Sequence, residues 1–429
     1  MRIPISAVTT ETTEAEVIGW IHEVRDLGGL AFYILRDRTG FLQATIVKKK
    51  APESVLSAAK DASRESVVRI TGAVKATEKA PGGREILPET FEIIAKAETP
   101  LPLDVAEKVP AEIDTRLDNR FLDARRPKVA GIFQVRSAVQ HAITDLFFQE
   151  GFINITTSKI VAAATEGGTE LFPLAYFEKE AFLNQSPQLY KQMMMAAGFE
   201  KVFEIAPIFR AEEHNTTRHL NEATSIDVEI SFADHEDVMD LLERVVVACY
   251  SKVAEECPMA IEALGIDLVV PDAPFPRITY GEAIDIAAIS IEEEISYGDD
   301  LSTAAEKAIG DEMGEHYFIT DWPTAIKPYY AMPFEDNPSV CKAFDLMHPR
   351  MELSSGAQRI HQHDLLVDQI QAKGLSPDSF EFYLKPFRYG MPPHAGWGLG
   401  MDRLVMTMLE LPNIREAVLF PRDRHRVTP

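Results

Sequence analysis

The chain has 429 residues, 46% of them hydrophobic, and a net charge of −24 from 43 basic and 67 acidic side chains. That length calls for two or three domains, and the hydrophobic share is that of a globular protein with a buried core. No apolar run reaches the ~18 residues of a membrane span, and the opening "MRIPISAVTT" lacks the apolar heart of a signal peptide. Three cysteines, Cys249, Cys257 and Cys341, have no metal-ligand spacing and leave an odd one, which fits a reducing cytoplasm. Charge alone argues against nucleic acid as a partner, so any such reading rests on local basic sites.

Residues 1–100 read as short strands. "EVIGWIHEV", "LAFYILRD", "GFLQATIV", "SVVRITGAV" and "FEIIAKAE" carry β-branched or aromatic residues with partial alternation. Turn signals separate them at Leu27-Gly28-Gly29, Asp37-Arg38-Thr39-Gly40 and Pro81-Gly82-Gly83. A helix-like "PESVLSAAKDAS" falls between the third and fourth. This order predicts a five-stranded OB-fold β-barrel, a small barrel whose face binds oligonucleotides. "AETPLPLDVAEKVPAEIDTRLDNRFLDARRP" holds four prolines and little periodicity, which predicts a hinge or linker over residues 101–130.

Residues 131–429 predict a second domain. "IFQVRSAVQHAITDLFFQEG" is an amphipathic helix stopped at Gly151. Strands and helices then mix without regular βαβ alternation, which predicts α+β rather than a doubly wound sheet. Residues 270–320 read as an acidic, loop-rich insertion. Three stretches carry chemistry. "FRAEEHNTTRHLNE" lies between the strand-like "KVFEIAPI" and "ATSIDVEISF"; Arg210, Glu212, Arg218 and His219 offer forks and donors to a polyanion. "DLMHPRMELSSGAQRI" sets Glu352 and Ser355 three apart, with Arg359 four further on. Read as extended and then helical, it offers two oxygen ligands for Mg²⁺ and a nearby cation. "GWGLGMDRLVMTML" puts Gly396, Gly398 and Gly400 before Asp402-Arg403, by itself a weak phosphate signal.

Together the three stretches resemble the motifs of class II aminoacyl-tRNA synthetases: "FRAEEHNTTRH" motif 2, "GWGLGMDR" motif 3, and "FFQEGFINITTSKI" the motif 1 position. The resemblance extends to the aspartyl enzymes of archaeal type through "TEGGTELF", "NQSPQLYKQ", "RLDNRFLDARRP", "FRYGMPPHAGWGLGMDR" and "FPRDRHRVTP", and covers essentially the whole chain. Two positions depart from the pattern: Ser158 stands at the motif 1 proline, and Ala223 where related enzymes stack a Phe on adenine.

The resemblance implies an anticodon-binding barrel and a catalytic domain built on an antiparallel sheet flanked by helices. It implies ATP-dependent activation of L-aspartate, then transfer to tRNA(Asp). Charge that builds on the α-phosphate needs positioned cations and metal more than a protein acid or base. The aspartate site it implies is Glu166, Gln188, Leu189, Tyr190, Lys191, Arg210, Asp227, Ser355 and Arg359. Lys191 and Arg359 would form a cationic pocket for the side-chain carboxylate, and Asp227 and Glu166 would hold the ammonium group. The implied ATP site is Arg210, Ala211, Glu212, Arg218, His219, Leu220, Glu352, Gly400, Met401, Asp402 and Arg403. Arg210 would clamp the α-phosphate, Glu212 accept from the adenine amino group, Arg218 and His219 reach the γ-phosphate, and Arg403 stack on adenine. Glu352 and Ser355 would hold Mg²⁺, two or three ions of which accompany ATP.

In the barrel, Phe32 would stack on an anticodon base, and Gln43 and Glu85 would read base edges. Arg25, Arg36 and Lys48-Lys49-Lys50 would meet phosphates. His22 and Pro81 stand where the strict members of the family carry a Trp and a Lys, which implies the relaxed subtype that also charges tRNA(Asn). The alternative is a strict tRNA(Asp) enzyme. The motif 1 elements imply a homodimer. Against a tRNA-independent paralogue stands the N-terminal barrel; against a decayed binding protein stand Arg210, Glu352 and Arg403, all present.

Overall fold

The computed structural model describes residues 3–162, 170–212, 216–291 and 294–429. The chain forms two compact units, residues 1–126 and 127–429. In the first, β1 (Glu14–Asp26), β2 (Leu30–Asp37), β3 (Gly40–Val47), β4 (Val67–Ala76) and β5 (Arg84–Ala95) close a barrel in the order β1-β2-β3-β5-β4. Period-two alternation sends Val17, Ile21, Leu35, Leu42, Ala44, Ile70 and Ile86 inward. The helix Glu53–Asp61, between β3 and β4, adds Val55 and Ala59 to the same core. This is the expected OB-fold arrangement.

The stretch expected to be a linker is ordered differently. Residues up to 126 belong to the first unit and carry two short helices, Ile113–Asp118 and Arg120–Asp123. Buried Asp123 is held by Arg116 at 3.1 Å, Arg120 at 2.7 Å and Arg126 at 3.2 Å. Arg64 reaches Asp104 at 2.9 Å, beside a small cluster of Leu103, Val105 and Leu122. Order here comes from ion pairs and not from an apolar stripe, so hydrophobic periodicity gives no sign of it.

The second unit adds β6 (Ile153–Asn154), β7 (Ile160–Val161), β8 (Pro173–Tyr176), β9 (Lys179–Leu183), β10 (Lys201–Phe209), β11 (Glu222–Ser231), β12 (Arg277–Thr279), β13 (Tyr317–Pro323), β14 (Val340–His348), β15 (Met351–Arg359) and β16 (His394–Gly400). Eight of these form one sheet in the order β12-β13-β14-β15-β16-β11-β10-β6, while β7, β9 and β8 form a small second sheet. The large sheet is antiparallel except at its ends, where β12 joins β13 and β6 joins β10 in parallel. The helices Pro127–Gln149 and His235–Glu256 pack Ile132, Val139, Phe147, Val238, Leu242 and Val246 against sheet residues Phe203, Val228, Trp397 and Leu399. The α+β expectation holds.

The supposed insertion is part of this sheet. It supplies β12, the helices Tyr280–Ser290 and Thr303–Met313, and the start of β13. Tyr280, Ala283 and Ile309 join a core with Trp322, Cys341 and Met347. A strand of three residues and helices with acidic outer faces conceal these elements in the sequence.

The glycines of "GWGLG" alternate along β16 with Trp397 and Leu399, which fill the core. A Cβ on Gly396 would lie 2.2 Å from the Val228 carbonyl oxygen and 2.3 Å from Glu229 Oε2. Gly396→Ala therefore lowers stability by about 1–3 kcal/mol, the usual range for overpacking. The shift of the urea midpoint measures it, and an unchanged midpoint would show that β16 has room for a methyl group.

Candidate active site

Two hairpins and a strand–helix junction build the site. In the first hairpin β10 and β11 pair from Lys201↔Ile230 to Phe209↔Glu222. Asn221 donates from its side-chain amide to the carbonyls of Arg210 at 2.7 Å and Glu212 at 3.3 Å, which anchors the charged loop. In the second hairpin, β14–β15, Arg359 ends a strand; the expected turn to helix does not occur. Residues three apart on a regular strand face opposite sides. Here the pairing slips: Leu346 faces Ser354 but Met347 faces Glu352, leaving Leu353 as an extra residue. That bulge brings Glu352 and Ser355 to one side, where both line the same cavity.

The cavity, about 350 Å³, is lined among others by Gln188, Arg210, Glu212, Arg218, His219, Leu220, Asp227, Glu352, Ser355, Arg359, Gly400, Asp402 and Arg403. Leu189, Tyr190, Lys191, Ala211 and Met401 do not line it, and Glu166 lies outside the described residues. Arg210 is exposed there, and among the described residues its guanidinium has no protein partner. Arg403 donates to the Glu352 carbonyl at 3.0 Å and lies 3.3 Å from His219 Nε2. His219 Nδ1 lies 2.8 Å from the Thr216 hydroxyl. Burial, with Arg403, Arg210 and Arg218 close by, holds the His219 imidazole down to about 4. Burial pushes the Glu212 carboxyl up, against the pull of Arg210. Asp402 is buried, ion-paired to Arg136 and hydrogen-bonded by the Thr224 amide at 2.8 Å.

Beneath the cavity lie four buried charges. Lys191 Nζ reaches Asp227 at 3.0 Å, Glu229 at 3.6 Å and the Trp397 carbonyl at 2.9 Å. Arg359 grips Glu229 through Nε at 3.0 Å. The expected cationic pocket is thus a neutral quartet in the free protein. Glu229, absent from the sequence reading, makes the difference. The signal for it is simple: Asp227 and Glu229 stand two apart on β11 and share a face.

Asp345 also escaped the sequence reading. It pairs across the hairpin with Ser355, is buried, and takes an ion pair from Lys327 on one carboxylate oxygen. Among the described residues its Oδ1 meets no donor within hydrogen-bond geometry, though the Ser355 hydroxyl is close enough to act on the carboxyl. Burial and the nearby Glu352 charge push its carboxyl up, while Lys327 opposes them. An orphaned carboxylate oxygen near Glu352 and Ser355 fits a hard cation. Among the described residues no three His, Cys, Asp or Glu side chains converge as a metal cage, so such an ion would take further ligands from phosphate and water. Glu306, on the helix Thr303–Met313, meets Arg218 at 3.3 Å. Burial and Glu352 raise its carboxyl to about 7.

In the barrel, Phe32 is half-buried between Arg25 and Thr45 in register, while Ala31 and Tyr33 point into the core. Gln43 Nε2 donates to Thr45 and to Glu85, each at 3.1 Å. His22 Nδ1 lies 3.0 Å from Arg36, with its ring 5.1 Å from Phe41; Pro81 opens an exposed turn, Pro81–Gly83. Arg36 does not face solvent as a phosphate contact would. It is buried on Glu65 at 2.8 Å. Arg25 pairs with Glu23 and Lys48 with Asp26, both at the surface.

Residues 112–424 match the family described as tRNA synthetases class II (D, K and N), and residues 15–100 match the OB-fold nucleic acid binding domain. The chain belongs to the class II tRNA synthetases of that group. Over the full length of both proteins it is 73% identical to the aspartate–tRNA(Asp/Asn) ligase of Methanoculleus marisnigri. With that of Archaeoglobus fulgidus it shares 62% identity, covering 98% of this chain and 97% of the relative. Among solved structures it is similar to asparaginyl-tRNA synthetase from Pyrococcus horikoshii complexed with asparaginyl-adenylate, with a TM-score of 0.95 and 35% identity over all of both chains. Aspartyl tRNA synthetase from Entamoeba histolytica gives a TM-score of 0.89 at 31% identity, covering 100% of this chain and 93% of that one.

Glu306 yields a pH test. Its carboxyl is raised from 4.5 to about 7, so the native state holds this proton more tightly than the unfolded chain. The stability this gives is fully present below pH 4.5 and is lost as pH rises through 7. Glu306→Gln, which cannot ionise, should match the ligand-free wild type at pH 4 and exceed its thermal midpoint at pH 8. Equal midpoints at both pH values would refute the assignment.

Proposed function

We propose that the chain is an ATP-dependent aspartate–tRNA ligase, acting in the cytoplasm as a homodimer on both tRNA(Asp) and tRNA(Asn). One observation carries the reading: a single cavity gathers Arg210, unpartnered among the described residues, the Arg403–His219 pair, the oxygen donors Glu352 and Ser355, and Arg359 and Asp227 of the charged quartet. A carboxylate oxygen of aspartate attacks the α-phosphorus of ATP, and the bond to pyrophosphate breaks. Arg210 binds the phosphoryl oxygens on which charge builds. Arg218 and neutral His219 bind the γ-phosphate. Glu212 accepts from the adenine amino group, and Arg403 covers the base. Glu352 and Ser355, with Asp345, would hold Mg²⁺, which neutralises phosphate charge. In the second step a ribose hydroxyl at the tRNA end attacks the aspartyl carbonyl and AMP leaves.

Selection of aspartate follows from exchange of partners within the quartet. The substrate ammonium takes the place of Lys191 beside Asp227, and the released Lys191, with Arg359, takes the side-chain carboxylate. Asparagine has no charge to offer Lys191, so the exchange leaves a buried cation unpaired, which is costly. The half-exposed Phe32 and the Gln43–Glu85 pair support anticodon recognition on the barrel. For the relaxed tRNA choice, the support is His22 and Pro81 at the positions named above, together with relatives named for both tRNAs. For the dimer it is the sheet edge at β6, beside Phe148 at 56% and Ile153 at 44% exposure. Three free, buried cysteines fit a reducing compartment, and among the described residues no helix is long and apolar enough to cross a membrane.

Pyrophosphate exchange should proceed with aspartate and not with asparagine, and Lys191→Leu should abolish it while ATP binding survives. Exchange in that variant at the wild-type rate would overturn the quartet's role. Purified transcripts of both tRNAs, aspartylated at one salt concentration, decide the tRNA question. Charging of tRNA(Asn) more than about a thousandfold below tRNA(Asp), beyond what one base contact allows, would make the enzyme strict.

A further inference from the structure

A chain of hydrogen bonds runs from Gln188 in the cavity wall into the core, passing beside Arg359, whose cross-strand neighbour is His394. Gln188 Nε2 meets Gln192 Oε1 at 3.0 Å. Tyr383 donates its hydroxyl to the same oxygen, also at 3.0 Å. Gln192 Nε2 lies 3.0 Å from His394 Nε2, and His394 Nδ1 lies 2.8 Å from the Pro392 carbonyl. Gln188, Gln192, Tyr383 and His394 are all buried.

The direction of every bond follows from the last. A backbone carbonyl only accepts, so His394 Nδ1 must carry a proton. Burial, with Arg359 nearby, holds the imidazole down to about 4, although Glu229 and the Pro392 contact oppose this. The ring is therefore neutral and its Nε2 accepts. Gln192 must then turn its NH₂ to His394 and its oxygen to Tyr383 and Gln188. Only the NH₂ of Gln188 can meet that oxygen. The Gln188 carbonyl oxygen is left over; among the described residues it has no protein partner, and the side chain lines the cavity.

We propose that Gln192, Tyr383 and His394 are positioning residues that fix the amide of Gln188 with its carbonyl oxygen toward the substrate, so that the site selects a ligand bearing a hydrogen-bond donor there, the ammonium group of the amino acid. The proposal rests on the reading of the cavity as an amino-acid activation site. An amide that is free to rotate offers donor or acceptor according to the ligand; one that is locked rejects the ligand lacking the donor. Gln192, Tyr383 and His394 do not line the cavity, and their hydrogen bonds reach it through Gln188.

The test uses full-length enzyme in pyrophosphate exchange, with succinate, which is aspartate without the ammonium group, as competitive inhibitor. In Gln192→Met, Gln188 loses its partner. The KM for aspartate should rise about tenfold to a hundredfold, the loss of one hydrogen bond to a charged group. The KM for ATP should stay within about twofold, and the Ki of succinate should stay level or fall. Tyr383→Phe keeps the Gln192–His394 link and should move the ratio of aspartate KM to succinate Ki in the same direction by less. That variant decides by the same ratio if Gln192→Met does not fold. A merely structural role would raise the aspartate KM and succinate Ki together, and that outcome overturns the relay. Wild-type enzyme without aspartate-dependent exchange would overturn the reading of the cavity, and the relay with it. Normal exchange with an unmoved ratio would overturn the relay alone.

Discussion

Four charges buried beneath one cavity constrain the rest of the catalytic unit. Lys191, Arg359, Asp227 and Glu229 are nearly inaccessible to solvent, and charges so placed persist only when paired. Pairing them requires β11 and β15 to face each other across β16. Register sets Glu229 opposite Gly396 and Gly396 opposite Ala357; Asp227 faces Gly398, which faces Ser355. The strand between must therefore be bare on that side. "GWGLG" meets the requirement with glycines toward the charges and Trp397 and Leu399 toward the helices. What the sequence offers as a weak phosphate loop is a trench cut across a sheet. Its breadth lets a guanidinium on one strand reach a carboxylate two strands away.

The same requirement shapes the neighbours. Asp402 ties the helix Met401–Met408 to the helix Pro127–Gln149 through Arg136, and to β11 through the Thr224 amide. These ties fix where β16 ends and where Arg403 projects. The bulge at Leu353 re-aims β15 so that Glu352 joins Ser355 on the cavity side. Both hold the strands that carry the binding groups.

Parts of this architecture are legible in the sequence for clear reasons. The barrel strands alternate and are bounded by glycine turns, so their existence and order follow from local pattern. The motif 2 hairpin announces itself because charge falls between two strand-like runs. Other parts rest on contacts far apart in sequence. The ion-pair cluster around Asp123 has no apolar period, and the three-residue β12 is too short to carry one. Arg359 reads as helical because "SSGAQRI" lacks alternation, yet its neighbours on β14 and β16 keep it extended. Glu229 was within reach of the strand period. The Gln188–His394 chain was not, since its members are brought together only by folding.

The free protein satisfies nearly all of its own functional charges. Arg359 and Lys191 hold Glu229 and Asp227, Arg218 holds Glu306, Lys327 holds Asp345, and in the barrel Arg36 holds Glu65. A site of this kind gains little from net attraction, because each substrate charge must displace an internal partner of like sign. Its discrimination lies in how well the substrate reproduces the geometry it replaces. Arg210 differs: it is exposed to the cavity, and among the described residues no hydrogen bond or ion pair holds its guanidinium, although its charge acts on the Glu212 carboxyl. A cation kept unpaired has nothing to release when a phosphoryl group accumulates charge, so its full interaction is available to the transition state. On the proposed reading, the contrast between the paired cations of the cavity and this reserved one separates the groups that choose the substrate from the group best placed to speed its reaction.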